Sequence, residues 1–397
     1  MSDDLLNKIG RNIKLNYIYT MLYSTQLDRG IWMLFLSYRG LGLVQIGLVE
    51  SVFQLAQLLF GIPAGAIGDI LGRKTSIMLS IVTKVIGYIL ILVSGDLTGY
   101  AAGFIFSAAS LVFYNSASES ITYESCLIAG KSANYKQIYG NILALSFVCT
   151  ALGIAVGGFI ANNDFEYVYY ATLLIMLLAF VPALLFSETR GIAVDGQPIA
   201  KPGFMKLLSS SIKEVANRPL IVYLLILYTS ITLVDMTIYM YCQKYFQGMG
   251  VPIYFIGIIL AMDSVFAAFG ARFASVLARF PTKDVLVLIP LMIFGSYALL
   301  SSLDAVFAIP FLFLATIFVV AYWPILSELI NSRVPSENRA TILSFKSQLT
   351  GASVMVVFPI VGYFAERSSL SSSFLWLLAF MTPMVIYTVI KIRRMAF

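Results

Sequence analysis

Histidine is absent from this chain of 397 residues, and charged residues are scarce. Without an imidazole, histidine-based catalysis is excluded and a zinc site has few ligands to draw on. Charged residues make up 12% of the chain, against about 25% in a typical soluble domain. Hydrophobic residues make up 59%, and the mean hydropathy is +0.89. One buried core cannot hold so many apolar residues, so we expect most of the chain to lie in lipid.

Cysteine is almost as rare, and its three positions carry no chemistry that we can recognise. Cys126, Cys149 and Cys242 lie in or at the ends of apolar runs, without metal-ligand spacing. We expect packing residues rather than disulfide partners or metal ligands. The chain also lacks a nucleophile–base pair, a phosphate-binding loop and a large soluble domain, so neither an enzyme nor a receptor is indicated. We expect no metal and no cofactor.

What the sequence has instead is a series of apolar runs, each about as long as the 20 residues that a helix needs to cross a bilayer. Many runs are rich in Leu, Ile and Phe without the alternation of a strand, so helices are predicted. The fold class is therefore an all-α membrane protein with twelve transmembrane helices. The predicted spans are roughly residues 13–37, 43–68, 75–94, 99–126, 137–161, 166–187, 220–244, 252–278, 284–302, 305–330, 341–365 and 370–392.

One long polar stretch, residues 188–219, separates six spans from six. It predicts an N-terminal bundle at 1–187, a cytoplasmic linker at 188–219 and a C-terminal bundle at 220–397. If the N-terminus is cytoplasmic, most of the 26 Lys and Arg residues lie on the inner side, as the positive-inside rule requires, so both termini are expected in the cytoplasm. Charges scattered over short loops argue against a nucleic-acid surface. We expect a multi-pass protein of a bacterial plasma membrane, a monomer in contact with lipid.

The loop between the second and third spans, GAIGDILGRK at residues 65–74, is the most informative segment. It resembles the loop between helices 2 and 3 of the major facilitator superfamily, whose pattern is G-x-L-a-D-r-x-G-r-k. The resemblance implies a transporter with two pseudo-symmetric six-helix bundles, and a loop that acts as a conformational gate. The alternative is a loop whose charges only set orientation. The matching positions are Gly65, Asp69, Gly72, Arg73 and Lys74.

The fifth span has glycines that resemble the antiporter motif of the drug:proton branch of that family, G-x8-G-x3-G-P-x2-G-G. Cys149 stands in place of one glycine and Ile154 in place of the proline. Small residues four positions apart let two helices approach closely, so the motif predicts a helix-packing role. Generic packing is the alternative. The matching residues are Gly140, Gly153, Gly157 and Gly158.

Four acids lie deep in the predicted spans, where a charge costs at least about 2.5–3.5 kcal/mol. Such residues usually face a cavity or a partner. Because histidine is absent, these carboxylates are the natural proton carriers, and a cationic substrate can compete with the proton. The alternative is that each forms an ion pair that only holds helices together. The predicted proton-coupling residues are Asp28, Glu119, Asp235 and Asp263.

Aromatic and polar residues accompany these acids and predict a substrate-binding wall. Trp32 and Tyr239 each follow an aspartate by four residues, on the same helical face. Aromatic rings beside an acid can hold an amphipathic cation, whereas ordinary packing or an interfacial aromatic belt is the alternative. The predicted substrate-binding residues are Arg29, Trp32, Asn115, Tyr239, Tyr322 and Trp323.

These features predict a secondary active transporter driven by the proton gradient. The first hypothesis is a proton-coupled exporter, or antiporter, of small amphipathic or cationic compounds that works by alternating access. The alternative is a proton-coupled importer, or symporter, of a nutrient such as a sugar, peptide or organic acid. Both need a small-molecule substrate and protons, and only the span-5 motif favours the first.

Overall fold

The computed structural model describes residues 3–189, 218–334 and 336–396. Most of the predicted linker at 188–219 therefore lies outside the described residues. The side chains of some residues inside helices, 62–66 and 69 among them, are not described either. Gly65 and Asp69, two residues of the predicted gate, are among these residues.

Thirteen α-helices and two short 3-10 turns make up the described ranges, in which there is no β-strand. The 3-10 turns are Leu27–Gly30 and Ser132–Asn134. The helices are α1 Asp3–Ser24, α2 Trp32–Tyr38, α3 Leu43–Leu71, α4 Arg73–Val93, α5 Leu97–Ile128, α6 Tyr135–Ala161, α7 Phe165–Leu185, α8 Pro219–Gly248, α9 Ile253–Leu277, α10 Thr282–Ser302, α11 Ala305–Asn331, α12 Ser336–Arg367 and α13 Leu370–Ala396.

Eleven of these helices, α3 to α13, are long and apolar enough to cross a membrane, and they correspond to the second to twelfth predicted spans. The first predicted span, residues 13–37, differs from the continuous helix we expected. It is divided into α1 and α2 by the turn Leu27–Gly30. Gly30 favours a break because glycine is a poor helix former. Its α-carbon also lies against Ile154 of α6, whose Cγ2 would be 2.7 Å from a Cβ at that position.

The chain forms two compact units. The first comprises Met1–Phe35, Val52–Lys201 and Ile253–Ala261. Within it α4 packs against α5 and α7, and α1 packs against α5, α6 and α7. Glycine allows the closest of these approaches, since a Cβ on Gly87 would lie 2.8 Å from the carbonyl oxygen of Gly103. Two helix backbones at so short a distance make favourable dispersion contacts, which are a main source of helix association in lipid.

The second unit comprises Leu36–Ser51, Pro202–Pro252 and Met262–Phe397. Within it α8 packs against α11, α12 and α13, and α10 packs against α11 and α13. Buried tyrosines of α8 find backbone acceptors: Tyr241 donates to the carbonyl of Phe358 at 2.9 Å and Tyr245 to that of Leu300 at 2.6 Å. A buried hydroxyl with an acceptor avoids the cost of a lost hydrogen bond, so these contacts stabilise the unit.

Candidate functional site

Asp28 lies in the turn that divides the first span, where it meets two polar residues of α4. The Tyr88 hydroxyl donates to Asp28 Oδ1 at 2.8 Å. Lys84, one helical turn before Tyr88, is only 7% exposed. Its Nζ lies 4.9 Å from the centroid of the Tyr88 ring, within electrostatic range of Asp28. We call Asp28, Lys84 and Tyr88 the N-terminal polar group, in which a buried cation balances the aspartate.

Asp28 was predicted from the sequence as a residue of the site, whereas neither Lys84 nor Tyr88 was assigned a role there. A lysine in an apolar run was the available signal, since charges inside a membrane are costly. The tyrosine was one of 23 in the chain, with nothing to distinguish it. Arg29, predicted to bind substrate, is exposed beside this group, so the two adjacent charges have different surroundings.

Three of the four predicted packing glycines on α6 accommodate neighbouring backbone. A Cβ on Gly153 would lie 3.2 Å from the backbone nitrogen and oxygen of Gln26, and one on Gly157 would overlap the carbonyl oxygen of Leu27. A Cβ on Gly158 would lie 2.8 Å from the α-carbon of Gly257. Gly140 differs, because no described atom lies within 4 Å of its Cβ position. The first two contacts hold in place the turn that carries Asp28.

The second unit contains a pair of aspartates with hydroxyl partners. The Tyr297 hydroxyl of α10 donates to Asp235 Oδ1 of α8 at 2.6 Å. The Thr316 hydroxyl of α11 donates to Asp263 Oδ1 of α9 at 2.6 Å. The two carboxylates are within electrostatic range of each other. Among the described residues, no Lys or Arg forms a salt bridge with either acid. The sequence analysis identified the acids but not their hydroxyl donors.

The same aspartate–tyrosine contact therefore occurs once in each unit. In the first unit it joins the first predicted span to the third, and the partners are 60 residues apart. In the second it joins the seventh to the ninth, with partners 62 residues apart. Internal repeats are common in transporters, and this contact occupies corresponding spans of the two six-span halves that the sequence predicts. The surroundings differ, because Asp28 has Lys84 nearby whereas Asp235 has a second acid.

Glu119, the fourth predicted proton-coupling residue, lies apart from these groups. It is exposed on α5, within electrostatic range of Tyr135 and Tyr139 at the start of α6. Asn115, one turn earlier on α5, is exposed as well. These residues form a separate polar region of the first unit.

The remaining predicted substrate-binding residues have varied environments. Trp32 is 8% exposed and packs against Phe104 with ring centroids 5.5 Å apart. Tyr322 is fully buried, and its hydroxyl donates to the carbonyl of Leu286 at 3.3 Å. Tyr239 is half-buried, and the Trp323 indole donates to the Thr232 hydroxyl at 3.3 Å. Trp32 and Tyr322 thus fill the interior of their own units, while Tyr239 and Trp323 keep partly accessible surfaces.

The gate loop forms a sharp turn between α3 and α4, at Gly72. Its φ of +101° favours glycine, and a Cβ there would overlap the Glu188 carboxylate. Glu188 accepts hydrogen bonds from the backbone nitrogens of Arg73 and Lys74 at 2.9 and 3.1 Å. A carboxylate at a helix N-terminus is favourable because the helix dipole is positive there. Glu188, which the sequence analysis did not select, therefore caps α4 from a distant part of the chain.

The side chains of the loop are held by the same unit. Arg73 Nε forms a salt bridge with Glu124 Oε1 at 2.9 Å, and Lys74 Nζ donates to the carbonyl of Leu184 at 2.7 Å. The Thr189 hydroxyl donates to the other Glu124 oxygen. The contacts tie the start of α4 to the ends of α5 and α7. Among the described residues, no group of three His, Cys, Asp or Glu side chains could hold a metal ion.

Known proteins resemble the chain in sequence and in fold. Residues 18–359 match the family model described as Major Facilitator Superfamily. An uncharacterized MFS-type transporter of Bacillus subtilis (strain 168), YxaM, is 23% identical over 380 residues, covering 91% of this chain and 90% of the relative.

Two solved structures show the likeness in fold. One is a mutant of the nucleoside transporter NupG, with a TM-score of 0.80, 12% identity and coverage of 96% of this chain and 98% of that chain. The other is a bacterial homolog of the human lysosomal transporter Spinster, with a TM-score of 0.73, 15% identity and coverage of 99% and 98%. These matches confirm the predicted fold class.

Proposed function

The chain belongs to the Major Facilitator Superfamily and is a multi-pass membrane transporter of that type, and we propose that it is a proton-coupled exporter of small amphipathic or cationic compounds. One observation carries the proposal. Two aspartates in the second unit, Asp235 and Asp263, lie within predicted spans, each with a hydroxyl donor and, among the described residues, without a cationic partner.

An ionised carboxylate without a cation is costly away from water. Uptake of a proton removes that cost, and so does arrival of a cationic substrate. A proton and a cation that compete for the same carboxylates are exchanged when the site opens alternately to the two sides of the membrane. This exchange is antiport, with protons entering down their gradient as the compound leaves. The gradient is the energy source, and no cofactor or enzymatic step is needed.

The test is transport of tetraphenylphosphonium, a lipophilic cation, by the purified protein in proteoliposomes with an imposed pH gradient. We expect cation flux opposite in direction to the proton flux. Asp235→Asn and Asp263→Asn should each abolish the coupled flux, because an amide keeps the shape of the side chain but cannot bind a proton.

Asp304→Asn is the matched control, because Asp304 is an exposed aspartate in the turn between α10 and α11 of the same unit. It should transport like the wild type. Reconstitution must be equal for all variants, as measured by protein content of the vesicles. Cation and protons that move in the same direction, or coupled flux that persists in both aspartate variants, would contradict the proposal.

A second candidate is proton-coupled import of a nutrient, and the N-terminal polar group favours it. The side chains of Asp28, Lys84 and Tyr88 combine both charges and a hydroxyl, a set that can hydrogen-bond a polar neutral solute. Proteins of similar fold include a nucleoside transporter and a POT family transporter in complex with a thioalcohol conjugated peptide. The same vesicles separate the candidates, since uridine or a dipeptide that moves with protons would indicate import.

The proposal places the protein in a bacterial plasma membrane as a monomer with both termini in the cytoplasm. The bacterial relative supports a bacterial membrane, and the basic residues at the predicted inner ends support the orientation. Cysteine accessibility is the measurement: a single cysteine in place of Lys131 should react with a membrane-impermeant reagent only from the cytoplasmic side.

A further inference from the structure

A polar stripe follows one face of α5. Asn115, Glu119 and Tyr123 are four residues apart and are all exposed, Tyr123 at 49%. Another face of the helix is buried against α1, where Asn16 Nδ2 donates to the Ser118 carbonyl at 3.2 Å and to the Thr122 hydroxyl at 2.7 Å. A carboxylate directed at lipid costs at least about 2.5–3.5 kcal/mol, so the stripe faces space that water can reach.

Two tyrosines at the start of α6 complete this region. The rings of Tyr123 and Tyr135 are nearly perpendicular, at 85°, with centroids 5.2 Å apart. Tyr139 stacks on Tyr135 at 5.7 Å and 13°. Tyr135 and Tyr139 both lie within electrostatic range of the Glu119 carboxylate. Two rings thus lie near the acid, and one of them, Tyr135, is nearly perpendicular to the ring of Tyr123.

The described neighbours of Glu119 are tyrosines rather than cations. Within the described ranges no lysine or arginine forms a salt bridge with it. Aromatic faces carry the negative end of a quadrupole, and a cation above them is attracted. An exposed acid beside such faces therefore favours a positive ligand with apolar surface. An anion would be repelled, and a neutral solute would leave the carboxylate uncompensated.

We propose that Glu119, Tyr123, Tyr135 and Tyr139, here called the tyrosine site, bind amphipathic organic cations. The carboxylate neutralises the charge of the ligand, while the perpendicular rings of Tyr123 and Tyr135 supply cation–π contact and apolar surface. The inference rests on the proposed function for the class of compound. It goes beyond that function by placing a binding site on α5 and α6, apart from the aspartates of the second unit.

Equilibrium dialysis of radiolabelled tetraphenylphosphonium against the purified full chain in detergent, at a single pH, is the test. Glu119→Gln should weaken binding by about tenfold or more, because a charge-assisted contact is lost. Tyr123→Leu should weaken it by about threefold to tenfold, as expected for one cation–π contact, whereas Tyr123→Phe should stay within about twofold of the wild type because the ring remains. Triphenylphosphine oxide, an uncharged compound with similar aryl groups, should not compete.

Tyr167→Leu is the control, since Tyr167 is an exposed tyrosine at the start of α7, 59% accessible. It should bind like the wild type, and monodisperse gel filtration of every variant excludes unfolding. No binding by the wild type, or equal binding by Glu119→Gln and Tyr123→Leu, would overturn the tyrosine site. The assay has no proton gradient, so its result does not depend on whether the protein couples transport to protons. Conversely, coupled export through Asp235 and Asp263 can be observed even if the tyrosine site does not bind the cation.

Discussion

At the scale of single residues, variants of Asp28 and Lys84 can show whether an intramembrane charge stabilises the fold or takes part in transport. Their charges balance each other in the N-terminal polar group, so removal of Asp28 leaves the buried Lys84 without this counter-charge. We expect Asp28→Asn to destabilise the protein by about 1–3 kcal/mol, below the range for a fully buried pair because Asp28 is only half-buried. Thermal unfolding in detergent measures the loss.

The double variant Asp28→Asn with Lys84→Met separates the two roles. It removes both charges, so most of the lost stability should return. Coupled transport should stay absent in the double variant if Asp28 carries protons. Restored transport would show that Asp28 serves only as the counter-charge of Lys84.

The sequence identified the acids of the candidate site because charge in an apolar run is rare and expensive. It did not identify their partners. Tyr88 and Tyr297 are 60 and 62 residues from the aspartates they contact. The free-energy cost of a tyrosine hydroxyl in a membrane span is small, so its presence in the sequence does not distinguish a polar partner from a packing residue. Contacts between helices depend on rotation and register, which hydropathy does not encode.

At the scale of helices, the glycines of α6 support a paired prediction. Gly157 leaves no room for a Cβ because the Leu27 carbonyl occupies the space, whereas Gly140 faces open space in the described structure. Alanine is the better helix former by about 1 kcal/mol. Gly140→Ala should therefore be neutral or stabilising, while Gly157→Ala should destabilise by about 1–3 kcal/mol through overpacking.

Unfolding midpoints of the two alanine variants measure this difference. Coupled flux should fall in Gly157→Ala as well, because the Leu27 backbone carries the turn in which Asp28 lies. Equal midpoints for the two variants would show that the turn yields easily and that the glycine is not required for the close approach.

The helices themselves were largely predictable, since eleven of the twelve apolar runs form candidate spans. The divided first span was not. Its hydropathy is that of a continuous helix, and the break depends on Gly30 together with Ile154 of α6, 124 positions later in the chain. The local hydropathy pattern identifies the helices, whereas a contact with a residue far away in the sequence determines where the first of them ends.

For the whole molecule, the repeated aspartate–tyrosine contact gives each unit one equivalent acid with a different neighbour. Lys84 balances the acid of the first unit, and Asp263 adds a second acid in the other. Proton-binding acids can therefore lie in one unit, while the acid of the other unit is balanced by a cation. This asymmetry is the reason that we assign coupling first to Asp235 and Asp263.

Alternating access also needs a gate, and we propose that the loop of residues 65–74 supplies it. Glu188 and Glu124 engage the backbone and side chain of Arg73, and Asp69 is the acid within the loop sequence itself. Asp69→Asn should slow turnover by about tenfold, the value of one charge-assisted hydrogen bond. Tetraphenylphosphonium binding at equilibrium should remain within about twofold of the wild type, because the gate lies outside the proposed binding residues.

Asp96→Asn makes the same chemical change at the opposite end of α4 and α5. Asp96 caps α5 by accepting from the Gly99 nitrogen at 3.0 Å, and asparagine caps equally well, so turnover should be normal. Initial rates in proteoliposomes and dialysis in detergent compare the two variants. If Asp69→Asn has slow turnover and normal cation binding, while Asp96→Asn is normal in both, the loop acts in switching. A defect in the binding site would lower turnover and cation binding together. Normal turnover in Asp69→Asn would instead limit the loop to setting orientation in the membrane.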